Sequence, residues 1–221
     1  MKLLLAALIA LVTPAFSATA IVDQVTGSTE EGGLPSVVGP VDTGESVEDI
    51  YMAQTITAGV EGYLSRVDLW LSRQSGATGD LVLSILNADG APEGAPLMTI
   101  TIAASSIASS GLFDLVMVSV DVRSWDLHFG VGDTFAIALG APDAPPVGTG
   151  MPAFAWAGDG LGGYAAGERY FLSSPEFPDW TSSEGTTDQI VRTWVEPASI
   201  PEPSCLVLAG AGVLLVRRKR R

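Results

Sequence analysis

The sequence predicts an all-β protein, an antiparallel β-sandwich, on three observations. Apolar or alternating runs of strand length recur along the chain; clusters of Gly, Pro, Ser and Asp separate them; and no segment carries a capped, amphipathic helical pattern. The runs fall at residues 52–57, 63–73, 81–86, 97–102, 112–122, 134–139, 152–157, 169–173 and 188–195. Many short strands between turn-rich joints fit two packed sheets better than an α/β arrangement.

Each element has its own signal. In 63–73, Leu64, Val67, Leu69 and Leu71 recur among polar residues, with strict alternation over 67–71. Residues 97–102 read Leu-Met-Thr-Ile-Thr-Ile, and Asn87, Ala88, Asp89 and Gly90 form a turn signal just before them. Residues 103–109 make one helical turn at most. Residues 21–49 are acidic and rich in Gly, Ser, Thr and Pro, which predicts an extended, solvated lead-in with only 23–25 and the region of Tyr51 paired into sheet. Pro142, Pro145 and Pro146 predict a long ordered loop over 141–150, and 184–187 a surface hairpin. Trp70 and Trp194 lie within predicted strands and are expected to pack.

The two ends carry sorting signals. Met1 and Lys2 precede an apolar run over 3–12, then Pro14 and small residues up to Ala20, the layout of a secretory signal peptide over 1–20. An N-terminal membrane anchor is the alternative, for which ten apolar residues are few. At the other end, Pro201, Glu202 and Pro203 precede an uncharged apolar segment over 205–216 and five cations over 217–221. Twelve helical residues rise about 18 Å against a hydrocarbon core of about 30 Å, so this short hydrophobic helix spans poorly by itself. The cations hold the cytoplasmic side, and the two prolines keep an extended stretch beyond the membrane. The tripartite pattern over 197–221 resembles the PEP-CTERM sorting signal of Gram-negative bacteria. That resemblance implies an exosortase as partner, transient anchoring in the inner membrane, and delivery to the cell surface or its exopolysaccharide matrix. An ordinary C-terminal membrane anchor is the alternative.

Without these ends, residues 21–200 hold five basic residues, all arginine, against 24 acidic ones, a net charge near −19. Such a surface repels nucleic acid and anionic lipid, so nucleic-acid binding is excluded. The single cysteine, Cys205, lies in the tail, which leaves the domain without a disulfide, a cysteine nucleophile or a thiolate metal site. About 180 residues suffice for one domain with a sizeable core.

The strand sequences themselves resemble a known module. Gln54 to Gly59, Gly62 to Leu71, Val131 to Leu139 and the closing Asp188 to Val195 are similar, in that order, to the jelly-roll domain of bacterial surface and choice-of-anchor proteins. The resemblance covers 21–196. It implies a jelly-roll-like β-sandwich related to carbohydrate-binding modules, with no catalytic residues to carry over.

Chemistry is sparse. A serine triad would have to be built on His128, the only histidine, and no Gly-x-Ser-x-Gly elbow supports it. One histidine is too few for a histidine-based zinc site. Glycan sites offer aromatic faces to sugar C–H surfaces and polar groups to hydroxyls. Trp156, Asp159 and Tyr164 fall in a glycine-rich stretch read as a loop, and Trp180 in a second one, 177–180. Trp156, Tyr164 and Trp180 are the candidate ligand-facing aromatics, with Asp159 a polar partner; packing over the sandwich rim is the alternative. No cofactor is expected. Asp159 and Gly160 resemble part of a calcium loop without its full ligand series, which leaves a structural calcium open and its ligands unnamed. The reading is a non-catalytic, exported surface or matrix protein that binds glycan, with a purely structural matrix protein or a cryptic hydrolase as alternatives.

Overall fold

The alternation over 67–71 becomes the centre of the structure. A computed structural model describes residues 19–28, 34–109, 111, 114–160, 163–174, 177–185 and 187–198, and Ala20–Pro197 forms a compact unit. The signal-peptide and PEP-CTERM segments, with Pro201, Glu202 and Pro203, lie outside the described residues. Among the described residues, no helix is long and apolar enough to cross a membrane.

The strands are β1 (Ile21–Thr26), β2 (Leu34–Asp42), β3 (Val47–Thr57), β4 (Gly62–Arg73), β5 (Leu81–Asp89), β6 (Ala91–Ile102), β7 (Val116–Asp121), β8 (His128–Phe129), β9 (Thr134–Gly140), β10 (Phe154–Asp159), β11 (Arg169–Ser174), β12 (Phe177–Ser182), β13 (Asp188–Gln189) and β14 (Val191–Pro197). Among the described residues, the only helical turns are single 3-10 turns at Ala104–Ser106 and Arg123–Trp125. The fold is all-β, one antiparallel sheet that curls so that two leaves face each other.

In the first leaf, β14 lies along one edge of β4, with Val191 opposite Leu69, and β7 and β8 along the other. Beyond β14, β1 pairs Ile21 with Val195, so the first and last described strands are neighbours. The far end of β4 pairs with β10, which also holds β13 and the start of β2. The second leaf runs β12, β11, β3, β9, β5, β6. β2 belongs to both, pairing over 34–38 with β10 and over 39–42 with β3. Gly39 marks the crossing; its φ is +95°, and a Cβ there would sit 2.9 Å from the Ala141 Cβ, so only glycine fits.

Period-2 alternation sends Val67, Leu69 and Leu71 of β4, Leu81, Leu83 and Ile85 of β5 and Phe135, Ile137 and Leu139 of β9 into one buried core between the leaves, and a bulge opposite Trp194 and Val195 adds Leu64. A smaller cluster, Ala53, Leu86, Ala136, Ala138 and Tyr170 with Trp180 against it, covers the outer side of the second leaf.

Several expectations are corrected. The acidic stretch 21–49 is not a solvated lead-in, because β1, β2 and the start of β3 pair along most of its described length. The strand expected over 152–157 begins at Phe154 and runs on to Asp159, into the stretch also read as a glycine-rich loop; 177–180, read as a loop, is strand, and 188–195 is two strands broken at Ile190.

Candidate functional site

The four candidate residues go to different places. Trp156 is fully buried, with Phe154, on the inner face of β10, and its Nε1 donates to the Ile190 carbonyl at 2.9 Å. It is a core residue and does not face ligand. Asp159 ends the same strand, 7% exposed and opposite Asp188, so it too is withdrawn from the surface. The signal that places Trp156 inside is the size alternation Phe154-Ala155-Trp156-Ala157, which the following glycines obscure. Trp180 is half-buried on the outer side of β12, packed against the alanine-floored cluster.

Tyr164 alone lines a cavity. Its hydroxyl accepts from the Thr57 N–H and donates to Gln24 Oε1, both at 3.3 Å, and its own N–H donates to Asp188 Oδ2 at 2.9 Å. Burial, with the Asp23 and Asp188 carboxylates nearby, raises its phenol pKa. The cavity, about 310 Å³, is formed by Gly163, Tyr164, Ala165, Gly167, Glu168, Gly185 and Asp188.

The backbone around it is strapped to β3. Thr55 N–H donates to the Glu168 carbonyl at 2.9 Å, Glu168 N–H to Thr55 Oγ1 at 2.8 Å, and Thr57 Oγ1 to the Ala166 carbonyl at 2.6 Å. The approach is so close at Gly167 that a Cβ would run into the Thr55 carbonyl. The site is therefore formed before any ligand arrives, which lowers the ordering cost of binding.

Glu168 joins the cavity to the outer aromatic cluster. Its carboxylate accepts from Tyr170 Oη at 3.3 Å, from the Gly185 N–H at 3.0 Å and from Ser182 Oγ. Behind it, Asp188 Oδ1 accepts from Gln54 Nε2 at 3.2 Å, Gln54 Oε1 accepts from the Gln189 N–H at 2.7 Å, and Gln189 Nε2 donates to Ser36 Oγ at 2.8 Å. A hydrogen-bonded chain thus runs from Tyr164 between the leaves. Sequence reasoning missed Glu168, Tyr170 and Asp188, because nothing separates them from the other acids and aromatics until β3 brings them together.

A larger cavity of about 550 Å³ is lined by Asn87, Glu93, Asp126, His128 and Asp133 among others; of these the sequence singles out His128 alone, as the residue a triad would need. His128 meets the Tyr63 ring edge-on at 5.0 Å and Glu61 at 3.9 Å; among the described residues no hydroxyl hydrogen-bonds to it. No group of three or more His, Cys, Asp or Glu side chains able to hold a metal occurs among the described residues. No family model matches the chain, and no curated protein matches it either.

Proposed function

We propose that this chain is an exported bacterial surface or extracellular-matrix protein whose jelly-roll-like sandwich is a non-catalytic glycan-binding module. The observation that carries the binding reading is the continuity of the Tyr164–Glu168–Asp188 cavity, through the Glu168 carboxylate and the buried Tyr170, with the half-buried ring of Trp180. Carboxylates accept sugar hydroxyls, and the aromatic rings supply flat apolar area at little entropic cost. The pairing of β1 with β14 and the passage of β2 between leaves support the jelly-roll assignment. The export route rests on the sequence of the two ends: a signal-peptide pattern over 1–20, and Pro201, Glu202 and Pro203 before an apolar and a basic segment, the pattern of an exosortase substrate.

The test is a polysaccharide and glycan screen on the full-length chain, run with calcium and again with chelator. Saturable binding lost in Trp180→Ala and Glu168→Gln, with unchanged circular dichroism, is the expected result. Silence of the folded protein in both conditions turns the reading to a structural matrix component, and release of reducing ends turns it to a hydrolase.

A further inference from the structure

Five arginines are the whole cationic complement of residues 21–200, and four of them meet a visible partner. Arg66 pairs with Asp68 at 3.1 Å and lies over the Trp194 ring. Arg123 clamps Asp121, Arg73 donates to the carbonyls of Ile107 and Ala77 at 3.1 and 3.0 Å, and Arg192 lies over Trp70. Arg169 differs. It is half-buried, makes one long hydrogen bond from Nη1 to Ser36 Oγ at 3.4 Å, and has no ion pair among the described residues; its Nε is buried and, like that of Arg66, makes no hydrogen bond. Asp188 is the carboxylate that it feels, yet both oxygens of that group are engaged, by Gln54 and by the Tyr164 N–H. A guanidinium stays charged under such burial, so the site holds a cation that feels Asp188 without a direct ion pair among the described residues.

Beside Arg169, where β2 passes from one leaf to the other, a cleft of about 440 Å³ opens, within the range of small-molecule sites. Its walls are apolar, formed by Val37, Ile50, Met52 and Phe171, and Ser36 lines it as well. Ser36 Oγ already accepts from Gln189 Nε2 and Arg169 Nη1, so its own proton remains to be donated. A cation, a hydroxyl donor and an apolar wall together select an anion with an apolar body. A polyanion is disfavoured by the charge of the whole domain, whereas one carboxylate is not.

We propose that this cleft binds a small amphipathic monocarboxylate, the carboxylate on Arg169 and the Ser36 hydroxyl, the apolar body along Val37, Ile50, Met52 and Phe171. The cleft shares no lining residue with the glycan cavity, although the chain through Asp188 and Gln189 reaches Ser36, and the two readings stand independently.

The test titrates the full-length chain with octanoate, octanol and acetate, following the Met52 and Ile50 methyl resonances and the heat of binding. Octanoate is expected to bind saturably and shift those methyls, with octanol and acetate at least about tenfold weaker. Arg169→Met should weaken octanoate by about tenfold or more and leave octanol unchanged. Equal binding of octanol and octanoate, shifts confined to other methyls, or no binding by the folded protein overturns the proposal. The methyl shifts of the unmodified chain decide the matter should Arg169→Met fail to fold.

Discussion

The two faces of the leaf formed by β3, β9 and β5 are built from side chains of opposite size. Towards the core stand Met52, Ile56, Phe135, Ile137, Leu139, Leu83 and Ile85; on the other side stand Ala53, Ala136 and Ala138, beneath Leu86, Tyr170 and Trp180. Burial does not separate them, since Ala53 at 0% is as hidden as Phe135 at 1%. What differs is volume. Large inner side chains fill the space between leaves, whereas small outer ones let a thin aromatic layer settle close to the backbone. The inner face therefore carries stability and the outer face carries shape, because the cost of truncation follows the cavity left behind.

Trp156→Ala, which opens a void in the core that the inner face packs against, where the indole of β10 bonds to Ile190, should have the largest effect, about 3–5 kcal/mol by denaturant titration. A loss below about 1 kcal/mol would erase the distinction between the faces. Gly39→Ala attacks the crossing of β2 instead; a positive φ and an Ala141 contact of 2.9 Å together should cost about 1–3 kcal/mol. Trp180→Ala, on the outer layer, should cost about 1–2 kcal/mol, as suits a half-buried ring, while removing glycan binding. If it proves as costly as Trp156→Ala, the outer cluster is a second core rather than a surface.

Charge sharpens the comparison further. Burial raises the Asp23 carboxyl above its ordinary 3.8, against the Gly59 and Val60 N–H groups and the Thr193 hydroxyl, which pull it down. A raised pKa means that the folded state holds the proton more tightly. The group's contribution is complete below 3.8 and is lost as pH rises through the folded value. Asp23→Asn keeps an oxygen for both N–H donors, so the profile of melting temperature against pH should flatten from about pH 4 upward. Asp121 is the opposite case and the smallest effect. Its hydrogen bonds from Arg123 lower it to about 2, a contribution present above 3.8 and lost as pH falls. Both partners are exposed, so Asp121→Asn should leave the melting temperature at pH 7 within experimental error.

Most strands with a one-sided pattern were legible in the sequence. β4 and β5 show their buried face as alternation, and the hairpin between β5 and β6 turns at Gly90 as Asn87 to Gly90 announce. β2 was missed because it changes leaf at Gly39: neither half is long enough to display a period, and Pro35 and Pro40 interrupt the run. β10 was half-missed because both of its faces are buried, which removes the polar alternation that marks a strand. Pro178 made β12 read as a loop, yet among the described residues β12 pairs with β11 alone, and an edge strand tolerates a proline. Of the site, Tyr164 and Trp180 stand out as aromatics near glycine or proline. Glu168 is found only through Thr55, 113 residues away, and sequence order cannot show such a contact.

The neighbourhood of β1 and β14 sets a timetable for the chain. Thr26 Oγ1 accepts the Val191 N–H at 2.9 Å across 165 residues, and β4 lacks its main partner until β14 has been made. Contacts of such sequence separation close late, since the loop between them must be gathered first. A ribosome has therefore to deliver nearly the whole of Ala20–Pro197 before the two leaves can seal, and until that moment the polypeptide remains an open thread rather than a finished body.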